Sequence, residues 1–216
     1  MNKQTLVMAA GVLLIAIFSM AAFLYNTQKT DELSATAQNN ASSLVRDYSP
    51  TTGDENAKVT IVEFFDPACG TCKDFYPFVK QIMEANPGKI KLVMRYTPFH
   101  NGSDEVVKIL EAAHLQNKFW DILEETYATQ SAWAINHTAH PEKLWTILAY
   151  SGLDIEKAKQ DVLSPSVIQH IQQDMTDAEQ MQVSRTPGFF VNGKPLINFG
   201  YEQLQNLVET EIRNSY

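Results

Sequence analysis

Two cysteines, spaced two residues apart directly after an apolar strand, are the feature that most limits how this chain can fold. Val59–Phe65 is mostly β-branched and aromatic, which predicts a buried strand. Pro67 ends that strand, and apolar residues then recur at helical spacing over residues 69–84. Cys69 and Cys72 therefore lie at the start of a helix that follows a strand, an arrangement suited to redox chemistry.

The two positions favour different chemistry at the two sulfurs. Cys69 sits at the helix N-terminus, where free backbone N–H groups and the helix dipole stabilise an anion. This lowers the thiol pKa and supplies the thiolate that attacks a disulfide. Cys72, one turn later, can close a ring with Cys69 or resolve a mixed disulfide. The electrons reside in the cysteine pair, so no cofactor is implied.

The rest of the composition narrows the class of protein. The chain has only two cysteines, which excludes a disulfide-stapled scaffold, and a structural zinc site needs four ligands. None of the five histidines flanks the cysteine pair, so no metal site is predicted. A net charge of −8 argues against nucleic-acid binding, which needs clustered basic residues.

The elements around the pair predict an α/β fold in which two separated parts of the chain share one sheet. Ile90–Tyr96 reads as a second strand, and the helical crossover implies that it is parallel to the first. Apolar residues recur with helical spacing from about residue 104 to 181, which predicts a helical insert. Residues 188–197 predict a β-hairpin with Asn192-Gly193 at its turn, and an amphipathic helix closes the chain.

An uncharged apolar run over residues 6–25 precedes this domain. A helix of about 20 apolar residues spans a bilayer core, so residues 1–25 are predicted to form a transmembrane anchor. A cleaved signal peptide is the alternative, although its apolar core is shorter. Lys3 favours a cytoplasmic N-terminus. Residues 26–53 are polar and predict a linker or stalk, which leaves residues 54–216 for the folded domain.

Two motifs carry a resemblance to a known family. Residues 62–72, Val-Glu-Phe-Phe-Asp-Pro-Ala-Cys-Gly-Thr-Cys, and residues 184–194, Ser-Arg-Thr-Pro-Gly-Phe-Phe-Val-Asn-Gly-Lys, resemble the DsbA-like branch of the thioredoxin superfamily. The resemblance extends from about residue 58 to the C-terminus. It implies a thioredoxin-like fold with a helical insertion and an enzyme, a protein dithiol–disulfide oxidoreductase. It also implies a periplasmic catalytic domain on a single-pass bacterial inner-membrane anchor, protein substrates, and a membrane redox partner that recycles the pair.

The same resemblance implies a substrate platform opposite the reactive cysteine. Pro187 matches a proline that is cis in that family and that faces the position of Cys69. The backbone of Thr186 would pair with an extended substrate segment beside Cys69, as in strand addition.

Glu63 is the remaining predicted site residue. An acidic residue in an otherwise apolar strand is costly unless it has a task or a partner. The matching glutamate of the family helps to move the proton of the second cysteine, which here is Cys72. Pairing of Glu63 with a lysine such as Lys58 or Lys91 is the alternative.

Two departures from the family pattern leave the direction of electron flow open. Ala68 stands where thioredoxins have tryptophan, and Gly70-Thr71 replaces the Pro-His pair of strongly oxidising members. A disulfide reductase or isomerase of the same fold is therefore an alternative. A Cys-x-x-Cys metallochaperone for copper or zinc is another, from a different class.

Overall fold

A five-stranded mixed sheet organises the computed structural model, which describes residues 2–216 apart from the side chains at positions 5, 6, 9 and 10. In spatial order its strands are β1 (Thr51–Gly53), β3 (Ile90–Tyr96), β2 (Val59–Phe65), β6 (Gly188–Val191) and β7 (Lys194–Pro195). The central β2 and β3 are parallel, and helix α2 (Gly70–Ala85) connects them. β6 pairs antiparallel with β2, so both parts of the chain share one sheet, as predicted.

The predicted hairpin is formed by β6 and β7, which pair antiparallel. Its turn is at Asn192 and Gly193, both of which have positive φ, 47° and 80°. Asparagine and glycine tolerate this backbone region, which a two-residue hairpin turn requires. The hairpin places the residues just before Gly188 at the same end of the sheet as the end of β2, because Gly188 pairs with Phe64.

Between β3 and β6 the chain forms a helical insert. Its helices are α3 (Ser103–His114), α4 (Phe119–Ala128), α5 (Gln130–Trp133), α6 (Pro141–Leu148), α7 (Ile155–Asp161) and α8 (Pro165–Gln180). Helix α3 lies at the centre and packs against α4, α6, α7 and α8. The last helix of the chain, α9 (Tyr201–Ser215), packs on α2 and on strands β2 and β6.

The expectation of helices throughout residues 104–181 is wrong over one short stretch. A two-stranded ribbon, β4 (Ala134–Ile135) with β5 (Thr138–Ala139), interrupts the insert. Asn136 and His137 form its turn with φ values of 50° and 61°. Asn and His are among the residues that enter the left-handed region most readily, so local turn chemistry overrides the apolar periodicity here.

The N-terminal helix, α1, covers Lys3–Asn39, and a 3₁₀ turn follows at Ala41–Ser43. Among the described residues one helix is long and apolar enough to cross a membrane, the part of α1 over Gly11–Asn39, and its apolar side chains as far as Tyr25 are exposed. The structure differs from the predicted solvated linker over residues 26–53. Ala37 and Leu44 are buried in the fold, because their apolar faces cover one side of the sheet.

The two faces of the sheet are covered by different elements. The larger core lies between the sheet, α2, α9 and most of the insert, and contains both cysteines. The smaller core lies on the opposite face, where α8 and the N-terminal segment cover β2, β3 and β6. Its members are Ala37, Leu44, Val62, Phe64, Val93, Ala178, Met181 and Phe190.

A fully buried arginine forms the centre of this second face. The Arg95 guanidinium donates to Asp174 at 2.7 and 3.0 Å and to Asp177 at 2.5 Å, both on α8. It also donates to the backbone carbonyls of Ser43 and Leu44, at 2.6 and 2.8 Å. Buried charges are tolerable when they are paired and fully hydrogen-bonded, as these are.

Two residues of the N-terminal segment complete the same network. Arg46 makes a bidentate contact with Asp177, through Nη2 at 2.6 Å and Nε at 2.9 Å. The Tyr48 hydroxyl donates to Asp174 at 2.7 Å. The segment that follows α1 is therefore fastened to α8 by charge-assisted hydrogen bonds.

Candidate active site

The cysteine pair lies where β2 ends and α2 begins, as its sequence position predicts. Cys69 is the N-cap residue of α2, and its sulfur accepts a hydrogen bond from the backbone N–H of Cys72 at 3.4 Å. The two thiols are free in this structure. Cys69 is 7% exposed whereas Cys72 is fully buried, so Cys69 is the sulfur that an incoming group reaches first.

The surroundings drive the pKa values of the two thiols apart. The pKa of Cys69 is lowered to about 5, chiefly because the Cys72 thiol donates a hydrogen bond to its sulfur. Hydrogen bonds from Thr186 and from the first backbone N–H groups of α2 add to this effect. Burial raises the pKa of Cys72 well above its usual range. Near neutral pH the pair is therefore one thiolate, Cys69, and one thiol, Cys72.

The proline of the second motif lies against the reactive sulfur. The Thr186-Pro187 peptide bond is cis, and the Cys69 sulfur lies 3.4 Å from the Thr186 carbonyl oxygen, to which it donates when it is protonated. The pairing of Gly188 with Phe64 produces this proximity, because the end of β2 leads into Cys69 and the start of β6 follows Pro187. The two residues predicted to form a substrate platform are thus beside Cys69.

Glu63 is fully buried on the same face of the sheet as the cysteines. Burial, followed by the charge on Cys69, raises its pKa to about 8. Neither carboxyl oxygen has a hydrogen-bond partner within residues 2–216. The alternative pairing with Lys58 or Lys91 does not occur: Lys58 donates to the Ser215 carbonyl, and Lys91 lies opposite Thr60, three positions along the ladder.

The loop between β2 and the cysteines is held by a residue that the sequence analysis missed. Asp66 is fully buried and accepts hydrogen bonds from the backbone N–H groups of Ala68 and His100 and from the Ser103 hydroxyl. Its second oxygen lies 2.7 Å from His100 Nδ1. An acidic residue between a buried strand and a proline is a weak signal that could have drawn attention to it.

The insert also reaches the cysteine loop, through Gln130 on α5. Its buried side-chain amide donates to the carbonyl oxygens of Pro67 at 2.8 Å and Cys69 at 3.1 Å. No local pattern marks this residue, since its partners are more than 60 positions away. Gln130 ties the helical insert to the loop that carries the reactive sulfur.

No cluster of three or more His, Cys, Asp or Glu side chains suited to a metal ion occurs in the part of the chain that the structure describes.

Three features define a thioredoxin-like protein. They are a parallel βαβ unit, an antiparallel hairpin, and a Cys-x-x-Cys motif at the start of a helix that faces a cis-proline. A family model described as Thioredoxin matches residues 46–210, which is most of the chain. The chain belongs to the thioredoxin family. The fold, with its helical insert, agrees with the resemblance to the DsbA-like branch of that family.

Three relatives illustrate this likeness. The structure is similar to that of a thioredoxin-like oxidoreductase from Silicibacter pomeroyi, with a TM-score of 0.69 and 29% identity, covering 81% of this chain and 98% of that one. Disulfide bond formation protein D of Bacillus subtilis is 24% identical over 180 residues, which are 76% of this chain and 77% of that protein.

The third relative is much longer than this chain. The Na(+)/H(+) antiporter NhaA of Herminiimonas arsenicoxydans is 30% identical over 144 residues, which are 67% of this chain but 22% of the antiporter. The chain spans less than a quarter of the length of this and similar antiporter relatives. The name of those proteins therefore describes a molecule of which the aligned region is a small part.

Proposed function

We propose that this protein is a membrane-anchored thiol–disulfide oxidoreductase that exchanges disulfides with protein substrates through the Cys69-Gly70-Thr71-Cys72 motif. The observation that carries the proposal is the difference between the two sulfurs. Cys69 is partly accessible with a pKa near 5, whereas Cys72 is buried and protonated. Cys69 is the nucleophile, and Cys72 is the resolving thiol.

The substrate binds as an extended segment beside Cys69. Thr186 lies just before β6, beyond the last pair of the β2–β6 ladder, so its backbone groups are at the end of the sheet. Addition of a strand there uses main-chain hydrogen bonds and tolerates many side chains. Pro187 closes the surface on which the segment lies.

Glu63 supplies and accepts the proton of Cys72. In the oxidising direction a substrate thiolate attacks the Cys69 sulfur of the Cys69–Cys72 disulfide, and Cys72 leaves with the electron pair. Protonation of that sulfur by the Glu63 carboxylic acid completes the step, and burial, which raises the pKa of Glu63, keeps the acid form populated at neutral pH. The reverse step returns the proton from Cys72 to the Glu63 carboxylate.

The direction that the geometry favours is disulfide donation. A stabilised Cys69 thiolate makes the reduced form more stable, which makes the disulfide more oxidising. A pKa of about 5 for Cys69 lies between values of about 7 for thioredoxin and about 3.5 for DsbA. The protein then accepts electrons from substrate thiols, and a membrane redox partner reoxidises it.

The apolar part of α1 supports attachment to the bacterial inner membrane, by length and composition. With the N-terminus in the cytoplasm, the catalytic domain faces the periplasm, a compartment in which disulfides persist.

Trapping of mixed disulfides tests the roles of the two cysteines. Cys72→Ser leaves the nucleophile without its resolving partner, so it should accumulate covalent complexes with periplasmic proteins on non-reducing gels. Cys69→Ser should accumulate almost none. Equal trapping by both variants would overturn the assignment.

Redox equilibrium with glutathione tests the direction. We expect a reduction potential above the −270 mV of thioredoxin and below the −120 mV of DsbA. A value at or below that of thioredoxin would make the protein a reductase. Stoichiometric copper or zinc binding without disulfide exchange would replace the proposal with a metallochaperone.

A further inference from the structure

The hydroxyl of Tyr127 is buried next to the cysteine pair with no partner. Tyr127 lies near the end of α4 and is 4% exposed. Within residues 2–216 its hydroxyl has no hydrogen-bond partner, a property that it shares with both carboxyl oxygens of Glu63. Burying an unpaired hydroxyl destabilises the folded state, and phenylalanine fills the same space without that cost.

The other buried or half-buried tyrosines do not behave in this way. Each of three donates its hydroxyl to a carboxylate: Tyr48 to Asp174, Tyr76 to Glu124 and Tyr96 to Glu111. Tyr127 is thus the exception within the described residues, and its hydroxyl is available for a partner that forms during the reaction.

Two contacts place Tyr127 beside the resolving cysteine. Tyr76 is four residues after Cys72 on α2, so both side chains are on one face of that helix. The ring centroids of Tyr76 and Tyr127 are 5.5 Å apart. Gln130, three residues after Tyr127, donates to the Cys69 carbonyl at 3.1 Å. The end of α4 is therefore packed against the cysteine loop.

The groups that face this hydroxyl are all acidic. Burial raises the pKa of Tyr127 well above its usual range, and Cys72, Glu63, Cys69 and Asp66 raise it further whenever they are ionised. The phenol therefore stays protonated at every pH at which the enzyme works. It can act as a hydrogen-bond donor to an anion formed nearby.

We propose that Tyr127 is a positioning residue of the proton relay, whose hydroxyl donates a hydrogen bond to the carboxylate that Glu63 becomes when it protonates Cys72. This inference rests on the proposed function. As Cys72 leaves, the Cys69–Cys72 bond breaks, a bond from Cys69 to the incoming sulfur forms, and the Glu63 proton moves to Cys72. The charge then resides on Glu63, where Tyr127 stabilises it.

The same hydrogen bond controls the reverse step. Ring closure from a mixed disulfide at Cys69 requires Cys72 to lose its proton, and the Glu63 carboxylate is the base that accepts it. Without the Tyr127 hydroxyl the carboxylate is less stable. Less of it is then present at neutral pH, and ring closure slows.

Tyr127→Phe in the full chain tests this, with Tyr76→Phe as the matched control. Both variants lose one hydroxyl from the same aromatic contact, but the Tyr76 hydroxyl is already bonded to Glu124. The measurement is the rate of glutathione release from the Cys69–glutathione mixed disulfide between pH 6 and 10, by acid quench and mass spectrometry.

We expect Tyr127→Phe to slow ring closure about tenfold at pH 7 and to move the midpoint of its pH profile upward by about one unit. Tyr76→Phe should follow the wild-type profile. A Tyr127→Phe profile that superimposes on wild type, or an equal shift in both variants, would overturn the proposal.

A second readout separates this proposal from the function on which it rests. Titration of the Cys69 thiolate by ultraviolet absorbance should be unchanged in Tyr127→Phe, and the variant should still form the mixed disulfide. If the wild-type chain forms no mixed disulfide at Cys69, the proposed function fails. If the wild-type chain forms the mixed disulfide and Tyr127→Phe has the same pH profile as wild type, the proposed function stands and only the role of Tyr127 fails.

Discussion

Two buried acidic sites lie on opposite faces of the same two strands, and their surroundings differ completely. Glu63 pairs in register with Met94, and the next pair along is Phe64 with Arg95. Alternation along a strand sends these neighbouring pairs to opposite faces. On one face Glu63 has no partner within the described residues, whereas on the other Arg95 pairs with Asp174 and Asp177.

The difference indicates what each site is for. A buried ion pair whose hydrogen bonds are all satisfied fixes one arrangement of the chain, and here it joins the N-terminal segment to α8. An unpartnered buried carboxyl group stabilises no contact. Burial raises its pKa, so that it can exchange a proton near neutral pH. We interpret the paired site as structural and Glu63 as catalytic, and the variants below test that division.

Arg95→Met should have the largest effect on stability. It leaves the buried carboxylates of Asp174 and Asp177 without their main partner, at a cost of about 3–5 kcal/mol in the free energy of unfolding. Denaturant unfolding in detergent measures it. Adding Asp174→Asn and Asp177→Asn should recover much of the loss. A cost below 1 kcal/mol for Arg95→Met would mean that the paired site is not structural.

Glu63→Gln should increase the free energy of unfolding, by an amount that depends on pH. The pKa of Glu63 in the folded state, about 8, is above the usual glutamate value of 4.5, so the folded state binds the proton more tightly. Stability from this group is therefore present below pH 4.5 and is lost as pH rises toward 8. Glutamine does not ionise, so the Glu63→Gln variant does not lose stability in this way as the pH rises.

The measurement is the difference in unfolding free energy between reduced wild type and Glu63→Gln. Taking the difference cancels the opposing contribution of the Cys69 thiolate, which both proteins share. Between pH 5 and 8 it should grow by roughly 3 kcal/mol in favour of the variant. A difference independent of pH would show that Glu63 does not carry a raised pKa.

Arg46→Met should have an intermediate effect. It removes a bidentate contact to Asp177, but Asp177 keeps Arg95, and the Arg46 side chain is already 32% exposed. We expect a loss of about 1.5 kcal/mol in unfolding free energy. Arg46→Lys should recover only part of it, because lysine cannot make the bidentate contact. Full recovery by lysine would show that charge alone fastens this segment.

Lys80→Met provides the smallest expected effect and the baseline for the series. Lys80 and Glu124 are about half exposed and 2.6 Å apart. Such pairs contribute about 0.5 kcal/mol or less, and salt screens them. A loss comparable to that of Arg46→Met would show that burial does not decide the value of an ion pair in this protein.

The sequence was sufficient for features that depend on local pattern. The strand before Cys69, the spacing to Cys72 and the turn at Asn192-Gly193 each have a signature within a few residues, and the Thr186-Pro187 motif was found by resemblance. These features are also the ones that give the family its recognisable fold.

The sequence was insufficient where partners are distant along the chain. Arg95 reads as one polar residue in a strand, and its carboxylate partners lie about 80 positions later on a helix whose polar face looks solvated. Gln130 and Tyr127 were missed for the same reason, because packing of the insert against the cysteine loop determines their surroundings. Apolar periodicity does not encode which elements meet.

The fastening of the N-terminal segment also limits where the reactive sulfur can go. Helix α1 continues past the apolar run to Asn39, a rise of about 20 Å from residue 26. Shortly beyond it, Arg95 donates hydrogen bonds to the backbone carbonyls of Ser43 and Leu44. In the membrane-anchored form that we propose, this leaves no slack between bilayer and domain, so every copy would hold Cys69 at one height above the lipid. The protein would then meet its partners by lateral diffusion in a thin layer, and most often those whose thiols pass through that layer.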